Sequence, residues 1–366
     1  MATKKSVSDF TKFADKFEKS FGAGTLNIAS EGAHNPYKVI STGSLTLDYA
    51  TGVGGLVEGR LVEIWGNEGA GKSSLGTMIV AEAQKKYPEK KAAWIDMEQV
   101  FDKPWAECHD VDLDNLYLYL PDSAEDVADA MKDIITSGLF SVVVLDSIGA
   151  MIPEAEKEKD ADKAVMAVQA KIVTRMVKIA AVEAHKTGTI PVLINQVRAN
   201  LGYGADTTTG GGFALKHATT MKFKISRTST TPFQERRGNE ILTVGHEIKV
   251  RVERNKVAPP YRDATMVLFN QPSKFGPVGL DKVDEAVSLG IRLGVIKQGG
   301  AFYTLDGEFE KVKSRDSVIE LFREKPELVD KVRKRVLALT ADEIILDNYE
   351  DDLAAITDEA VKELSE

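Results

Sequence analysis

Eight consecutive residues, Gly66-Asn67-Glu68-Gly69-Ala70-Gly71-Lys72-Ser73, spell G-x-x-x-x-G-K-S, with Ser74 directly after them. The chemistry this offers is phosphate binding. A loop of this composition curls its backbone N–H groups around a β-phosphate, because glycines lack the Cβ that would block so close an approach. Lys72 then reaches the β- and γ-phosphates, and the Ser73 hydroxyl binds Mg²⁺. The flanks fit: Leu61-Val-Glu-Ile-Trp65 alternates like a strand, and Ser74–Ala81 is apolar enough to pack as a helix. The expected ligand is a nucleoside triphosphate with its Mg²⁺.

Acidic and amide groups fall where such a loop needs them. The run Ser141-Val-Val-Val-Leu-Asp146-Ser147 reads as a buried strand ending in a carboxylate, the position from which an NTPase holds Mg²⁺ through its water shell. A second strand run, 92–96, ends in Asp96, and Glu98 follows two residues later. A carboxylate beside the γ-phosphate orients or deprotonates the attacking water. Glu98 is the candidate for that role, and spacing alone leaves Asp96 as a competitor. The run 191–195 leads straight into Gln196 and then into a glycine- and threonine-rich stretch, 197–212, holding Arg198, Tyr203, Gly210 and Gly211. Such a loop at the carboxyl end of a parallel strand lies beside the ligand edge of the sheet. There an amide senses the γ-phosphate and reports it to the loop. Tyr203 and the basic groups around it are candidates for nucleic-acid contact.

These groups need a scaffold that brings strand ends together. Strand-like runs alternate with helical segments near 123–137 and 163–187, which argues for an α/β fold with a mainly parallel sheet covered by helices. Later strand-like runs at 221–226, 247–254 and 264–269 follow one another without long helices, as in an antiparallel extension. Ahead of the core, Phe10, Phe13, Ala14, Phe17 and Phe21 recur at helical spacing, and Gly22–Ala29 is glycine-flexed with a short strand-like piece. A turn-rich stretch at 271–277 marks a boundary. The expected organisation is an N-terminal helix and strand arm (1–36), a core (37–271), a small basic unit (272–340) ending in a helix over 316–339, and a tail (341–366).

Composition sets the outer bounds. The 366 residues suggest two or three units, and 43% hydrophobic residues suffice for a sizeable core. The N-terminal MATKKSVSDF has no apolar stretch of a secretory signal, and no run approaches a membrane span. A single cysteine, Cys108, fits a reducing cytoplasm. The five histidines show no metal-ligand spacing. The tail carries ten acidic residues against the single Lys362, and thereby the whole net charge of −9. The acidic average therefore says nothing against a nucleic-acid partner. The tail reads either as a solubilising segment or as a competitor of phosphates for the basic residues between Lys311 and Arg335.

Together these segments resemble the bacterial RecA recombinase family, with its phage-encoded relatives, over roughly residues 10–340. The resemblance is carried by Ser41-Thr-Gly-Ser-Leu-Thr-Leu-Asp48, Gly54–Arg60, the glycine loop, Asp96-Met-Glu98 and Val144-Leu-Asp146-Ser147. Asn195-Gln196-Val-Arg198, Thr207–Gly211, Ala214-Leu-Lys216 and Arg254-Asn-Lys256 complete it, in the same order and at similar spacing. It implies a RecA-like ATPase core, ATP and Mg²⁺ as cofactors, and DNA-dependent ATP hydrolysis by a helical homo-oligomeric filament. That filament would form on single-stranded DNA and pair it with double-stranded DNA in strand exchange, recombination and repair. Single-strand binding and mediator proteins are implied as partners, in the cytoplasm of a bacterium or of a phage-infected host.

Residue by residue, Glu98 matches the water-activating glutamate and Gln196 the γ-phosphate sensor. Trp105, near Asp102, stands where the family stacks an aromatic on adenine. Arg254 and Lys256 match two lysines that reach the nucleotide of a neighbouring subunit. A first DNA loop corresponds to about 156–168, with Met166 beside DNA; Lys171, Thr174 and Lys178 match phosphate-backbone contacts, and the second DNA loop is about 197–212. The chain departs from the family in a shorter second loop, in a strongly charged first loop (Glu154–Lys163), and in His217, which replaces an interface phenylalanine. A hexameric helicase or its loader shares the same core and is the rival reading; an ATP-binding adaptor without turnover is a third.

Overall fold

The computed structural model describes residues 3–21, 37–154, 163–198, 208–209, 212–228 and 232–340. These fall into two compact units, 1–38 and 39–366. The first contains helix α1 (Thr3–Phe21), on which the Phe10, Phe13 and Phe17 rings pack against one another at 5.8–6.3 Å. This is the outcome expected of aromatic residues spaced three and four apart. The strand-like piece within 22–29 lies outside the described residues.

The second unit opens with β1 (Val39–Ile40), α2 (Leu45–Ala50), β2 (Leu56–Val57), β3 (Val62–Gly66) and α3 (Lys72–Lys86). It continues with β4 (Lys91–Asp96), α4 (Lys103–Glu107), β5 (Leu116–Tyr119), α5 (Ala124–Ser137) and β6 (Phe140–Asp146). Next come α6 (Lys163–Thr187), β7 (Ile190–Arg198), β8 (Thr208–Thr209), α7 (Gly212–Ala218) and β9 (Met221–Arg227). β10 (Phe233–Arg237), β11 (Glu240–Asn255), β12 (Asp263–Phe269) and β13 (Gly279–Leu280) follow. The C-terminal part holds α8 (Lys282–Arg292), β14 (Lys297–Gly299), β15 (Phe302–Leu305), β16 (Phe309–Lys313), α9 (Arg315–Glu324) and a last helix, α10, over 327–340.

One large sheet runs in the order β13-β12-β11-β9-β3-β7-β6-β4-β5. From β9 to β5 every neighbouring pair is parallel, while β11 to β13 extend it antiparallel. The run 221–226, expected in the antiparallel extension, is thus the junction: β9 lies parallel to β3 on one side and antiparallel to β11 on the other. A short apolar run carries no signal of strand direction, so only the topology decides this.

Alternate residues of each central strand feed opposite faces. Val142, Val144, Val192 and Ile194 join the core beneath α3 with Leu75, Ile79 and Phe223. Val143, Leu145 and Leu193 join a second core with Met131, Val173, Met176 and Val177 of α5 and α6. This two-sided burial is why the strands read as continuous apolar runs. The helices begin and end where their caps dictate. Ser123 accepts from the Asp126 N–H at the start of α5, and Gly138 closes it in the left-handed region with φ 68°.

The C-terminal residues build a third core around Val287, Leu305, Phe322 and Val332, which also includes Leu45. The helix expected over 316–339 is broken into α9 and α10 at Lys325-Pro326. Proline has no N–H to continue the ladder, and its ring collides with the preceding turn. Buried acids tie this region to α2. Glu285 accepts from the Ser44 hydroxyl and from the Leu45 and Thr46 N–H groups. Asp48, fully buried, accepts from Ser41, Thr42 and the Arg333 guanidinium, the last at 2.8 Å. Burial outweighs these partners and pushes the Asp48 carboxyl above its ordinary pKa.

Removing one partner of such a pair strands the other charge away from water. Arg333→Met is therefore expected to cost about 3 kcal/mol, read as a lower urea midpoint at an unchanged slope. Arg333→Met combined with Asp48→Asn should recover part of that loss.

Candidate functional site

The glycine loop joins β3 to α3, and its backbone path is forced by its neighbours. A Cβ on Gly66 would sit 2.1 Å from the Ile225 carbonyl oxygen of β9, so no side chain fits there. Gly71 caps α3 with φ 97°, a conformation glycine adopts without strain. Lys72 opens the helix, and its buried Nζ donates to the Gly66 and Asn67 carbonyls at 3.1 and 2.8 Å, closing the loop on itself. Burial lowers the Lys72 pKa, while Asp146, Glu98 and Glu68 oppose that shift. An ammonium so placed gains from a phosphate partner at the same spot. Asn67, Glu68, Gly69, Ala70 and Ser74 follow this loop into the first turn of α3.

The Ser73 hydroxyl donates to Asp146 Oδ2 at 2.7 Å, linking the start of α3 to the end of β6. Burial pushes the Asp146 carboxyl up to about 6; the neighbouring carboxylates Glu98 and Asp96 add to the rise, against the Ser73 hydrogen bond and Lys72. The pair supplies hard oxygen donors only, and no group of three or more His, Cys, Asp or Glu forms a metal cluster among the described residues. Such a site fits Mg²⁺, which keeps several waters and takes its other ligands from phosphate.

Glu98 and Asp96 have different surroundings. Asp96, buried, accepts from the backbone N–H groups of Glu98, Gln99 and Phe101 and so shapes the turn after β4. Its oxygens are occupied with structure. Glu98 Oε1 instead accepts from Gln196 Nε2 at 2.8 Å and from Ser147 Oγ at 3.0 Å, beside the Ser73–Asp146 pair. Ser147 has no motif of its own to mark it in the sequence. Its position, immediately after a strand-terminal acid, was the available signal.

Trp105 lies half-buried on α4 and donates its indole N–H to Ser74 Oγ at 3.1 Å. Asp102 caps α4 by accepting from the Trp105 N–H, and the His109 ring packs on the indole at 4.7 Å. A planar group above the loop thus sits on a fixed platform. Lys171, Thr174 and Lys178 line one face of α6, both lysines exposed. Met166 belongs to α6 and Arg198 ends β7. Tyr203, Gly210, Gly211 and most of both expected DNA loops lie outside the described residues.

Arg254 and Lys256 do not join this constellation. Asn255 pairs with Met221, which is level with Val62 at the start of β3, whereas the loop begins at Gly66. Four residues of strand, roughly 13 Å, separate them along β3. There the Arg254 guanidinium donates to the Lys216 carbonyl, and Lys256 Nζ donates to the His217 carbonyl at 2.5 Å, at the end of α7.

Gly66→Ala should force the loop away from β9, because a backbone oxygen cannot yield by the distance required. The expected outcome is loss of nucleotide binding by at least about tenfold, measured with a fluorescent ATP analogue. Ser147→Ala should instead leave that affinity within about twofold and lower the hydrolysis rate by about tenfold.

The model of the RecA N-terminal domain family matches residues 10–272. Among curated relatives, Protein RecA of Cytophaga hutchinsonii is 35% identical over 325 residues, covering 88% of this chain and 87% of that protein. Protein RecA of Rubrobacter xylanophilus is 34% identical, covering 88% and 90% respectively. Protein RecA of a Thermus thermophilus strain is 34% identical over 337 residues, covering 92% and 95%. With its glycine loop, its strand-terminal acids and this match over nearly its whole length, the chain belongs to the RecA family.

Proposed function

We infer that this chain is a homologous recombinase, an ATPase whose turnover depends on DNA and on assembly into a filament. Family membership speaks for a recombinase and against the ring helicase. The observation that carries the mechanism is the division of cations. Lys72 sits inside the glycine loop, while Arg254 and Lys256 lie at the other end of β3, bonded to carbonyls at the end of α7. Charge developing on a γ-phosphate during hydrolysis calls for more positive groups than the loop alone supplies. A neighbouring copy stacked head to tail brings its own Arg254 and Lys256 to that position, and a heterologous contact of this kind propagates as a helix.

Within one copy, the loop amides and Lys72 hold the β- and γ-phosphates. Ser73 and Asp146 would hold a Mg²⁺ brought in with ATP, which would supply charge neutralisation to the phosphates. Trp105 stacks on the adenine. Glu98 accepts a proton from the attacking water, and Ser147 fixes the carboxylate in that orientation. Gln196 gives up its bond to Glu98 when a γ-phosphate offers a competing charged acceptor, and so reports the nucleotide to the chain that follows it. Lys171, Thr174 and Lys178 on one face of α6 contact the DNA backbone; Met166, Arg198, Tyr203, Gly210 and Gly211 are assigned to DNA contact on the family match alone. The setting is the cytoplasm; no helix among the described residues is long and apolar enough to cross a membrane.

Glu98→Gln is expected to bind ATP normally and to lower turnover by about 10²–10⁴-fold, leaving long-lived complexes on single-stranded DNA. A parental rate in that variant would move the role to another group. Mixing a Lys72→Ala protein with an Arg254→Ala/Lys256→Ala protein should recover activity, since some interfaces then pair an intact loop with an intact cation pair. No recovery at any ratio, with co-assembly verified, contradicts action in trans.

The tail at 341–366 lies outside the described residues, but the basic region it was expected to shield is described. Ion pairs engage five of the nine cations there: Arg315 with Asp284, Arg323 with Asp281, Lys331 and Arg335 with Glu308, and Arg333 with Asp48. The charge left for duplex phosphates is smaller than the sequence suggested. Truncation after Thr340 should tighten duplex binding by only about two- to threefold, and chiefly at low salt. Equal binding across a salt titration would leave the tail as a solubility device.

A further inference from the structure

Glu63 is the one charged residue in the apolar run Leu61–Trp65, and it is fully buried in the middle of the large sheet. Its Oε1 accepts from Asn195 Nδ2 at 3.1 Å, and Asn195 Oδ1 in turn accepts from the backbone N–H of Gln196 at 3.0 Å. Oε2 accepts no hydrogen bond among the described residues; its compensation is the Lys222 ammonium at 3.2 Å. A carboxylate removed from water at this cost needs both partners in place.

The stripe continues across the strands. Lys222 and Lys224 of β9 lie over the Trp65 ring at 4.9 and 4.8 Å, and the Trp65 indole donates to Glu253 Oε2 at 2.8 Å. Glu253 stands at the register shift between Val252 and Arg254, and Lys222 pairs directly with Arg254. One polar inlay therefore runs from Gln196, through Asn195, Glu63, Lys222 and Trp65, to the residue beside Arg254.

We propose that Glu63 is a positioning residue that couples Gln196, at the γ-phosphate end of the sheet, to the Arg254–Lys256 pair that serves the neighbouring subunit. A displacement of Gln196 pulls on Asn195 and so on the Glu63 carboxylate. That carboxylate cannot shift without shifting Lys222, because an unpaired buried charge is costly. β9 transmits the change to its register partner on β11. In this way the state of one nucleotide site biases the cations offered to the next. The proposal rests on the recombinase reading above.

The test compares the parent, Glu63→Gln, Lys222→Gln, Lys222→Arg and the double Glu63→Gln/Lys222→Gln variant as full-length chains. Three quantities are measured: affinity for a fluorescent ATP analogue, thermal unfolding, and hydrolysis with and without single-stranded DNA over a range of ATP concentrations. Glu63→Gln and Lys222→Gln should each keep nucleotide affinity within about twofold, lose about tenfold in DNA-stimulated rate, and show a flattened, less sigmoidal ATP dependence. Lys222→Arg, which keeps the charge, should retain the parental behaviour. The double variant should be no worse than either single one, since both remove the same link. Parental DNA-stimulated rates in the single variants, multiplied losses in the double variant, or nucleotide affinity falling in step with rate would each overturn the coupling role, whereas a lower melting temperature in Lys222→Gln alone is the expected cost of stranding the Glu63 charge. A parent that hydrolyses ATP without any response to DNA would overturn the recombinase reading itself, and the coupling with it.

Discussion

The parallel register of the central strands is the constraint on which the rest depends. Gly66 of β3 is level with Gln196 of β7, and Asp96 of β4 is level with Asp146 of β6. Four segments far apart in sequence thus deliver the glycine loop, Gln196 and two acids to one edge of one sheet. The strands are buried on both faces, so a slip by one residue would expose an entire apolar set. The hydrophobic cores above and below therefore fix the site geometry to within the tolerance that hydrogen bonds such as Ser73–Asp146 and Gln196–Glu98 require.

That edge gathers Lys72, Ser73, Glu98, Asp146 and Gln196, while Arg254 and Lys256 lie at the other end of β3. The same division explains why β9 and β11 are built as they are. β9 presses against Gly66 at one end and presents Lys222 to Arg254 at the other. A single strand thereby touches both the glycine loop and the strand that carries Arg254. The polar inlay around Glu63 lies between these ends, in a position where apolar packing would have been the cheaper solution.

Much of this was legible in the sequence because the chemistry is local. The glycine loop, the acid closing an apolar run at Asp146, and Gln196 after 191–195 are each defined by residues adjacent in the chain. What was not legible depends on contacts between distant segments. What distinguishes Asp96 from Glu98 is three backbone N–H groups that only the folded turn presents to Asp96. The burial of Glu63 cannot be read from its own strand, because the partners that compensate it, Asn195 and Lys222, arrive from β7 and β9. The basic character of 311–335 looked like a surface feature until its arginines were found paired with Asp48, Asp281, Asp284 and Glu308. Charge counts along a chain do not reveal which charges face each other.

The central claim is that nucleotide turnover is completed between subunits of an open assembly. Electron microscopy of the full chain on single-stranded DNA, with a slowly hydrolysed ATP analogue, tests it most directly. The account predicts a continuous helical filament in which Arg254 and Lys256 of each subunit lie against the phosphate loop of the next. Closed rings, or filaments in which that loop faces solvent, would contradict it.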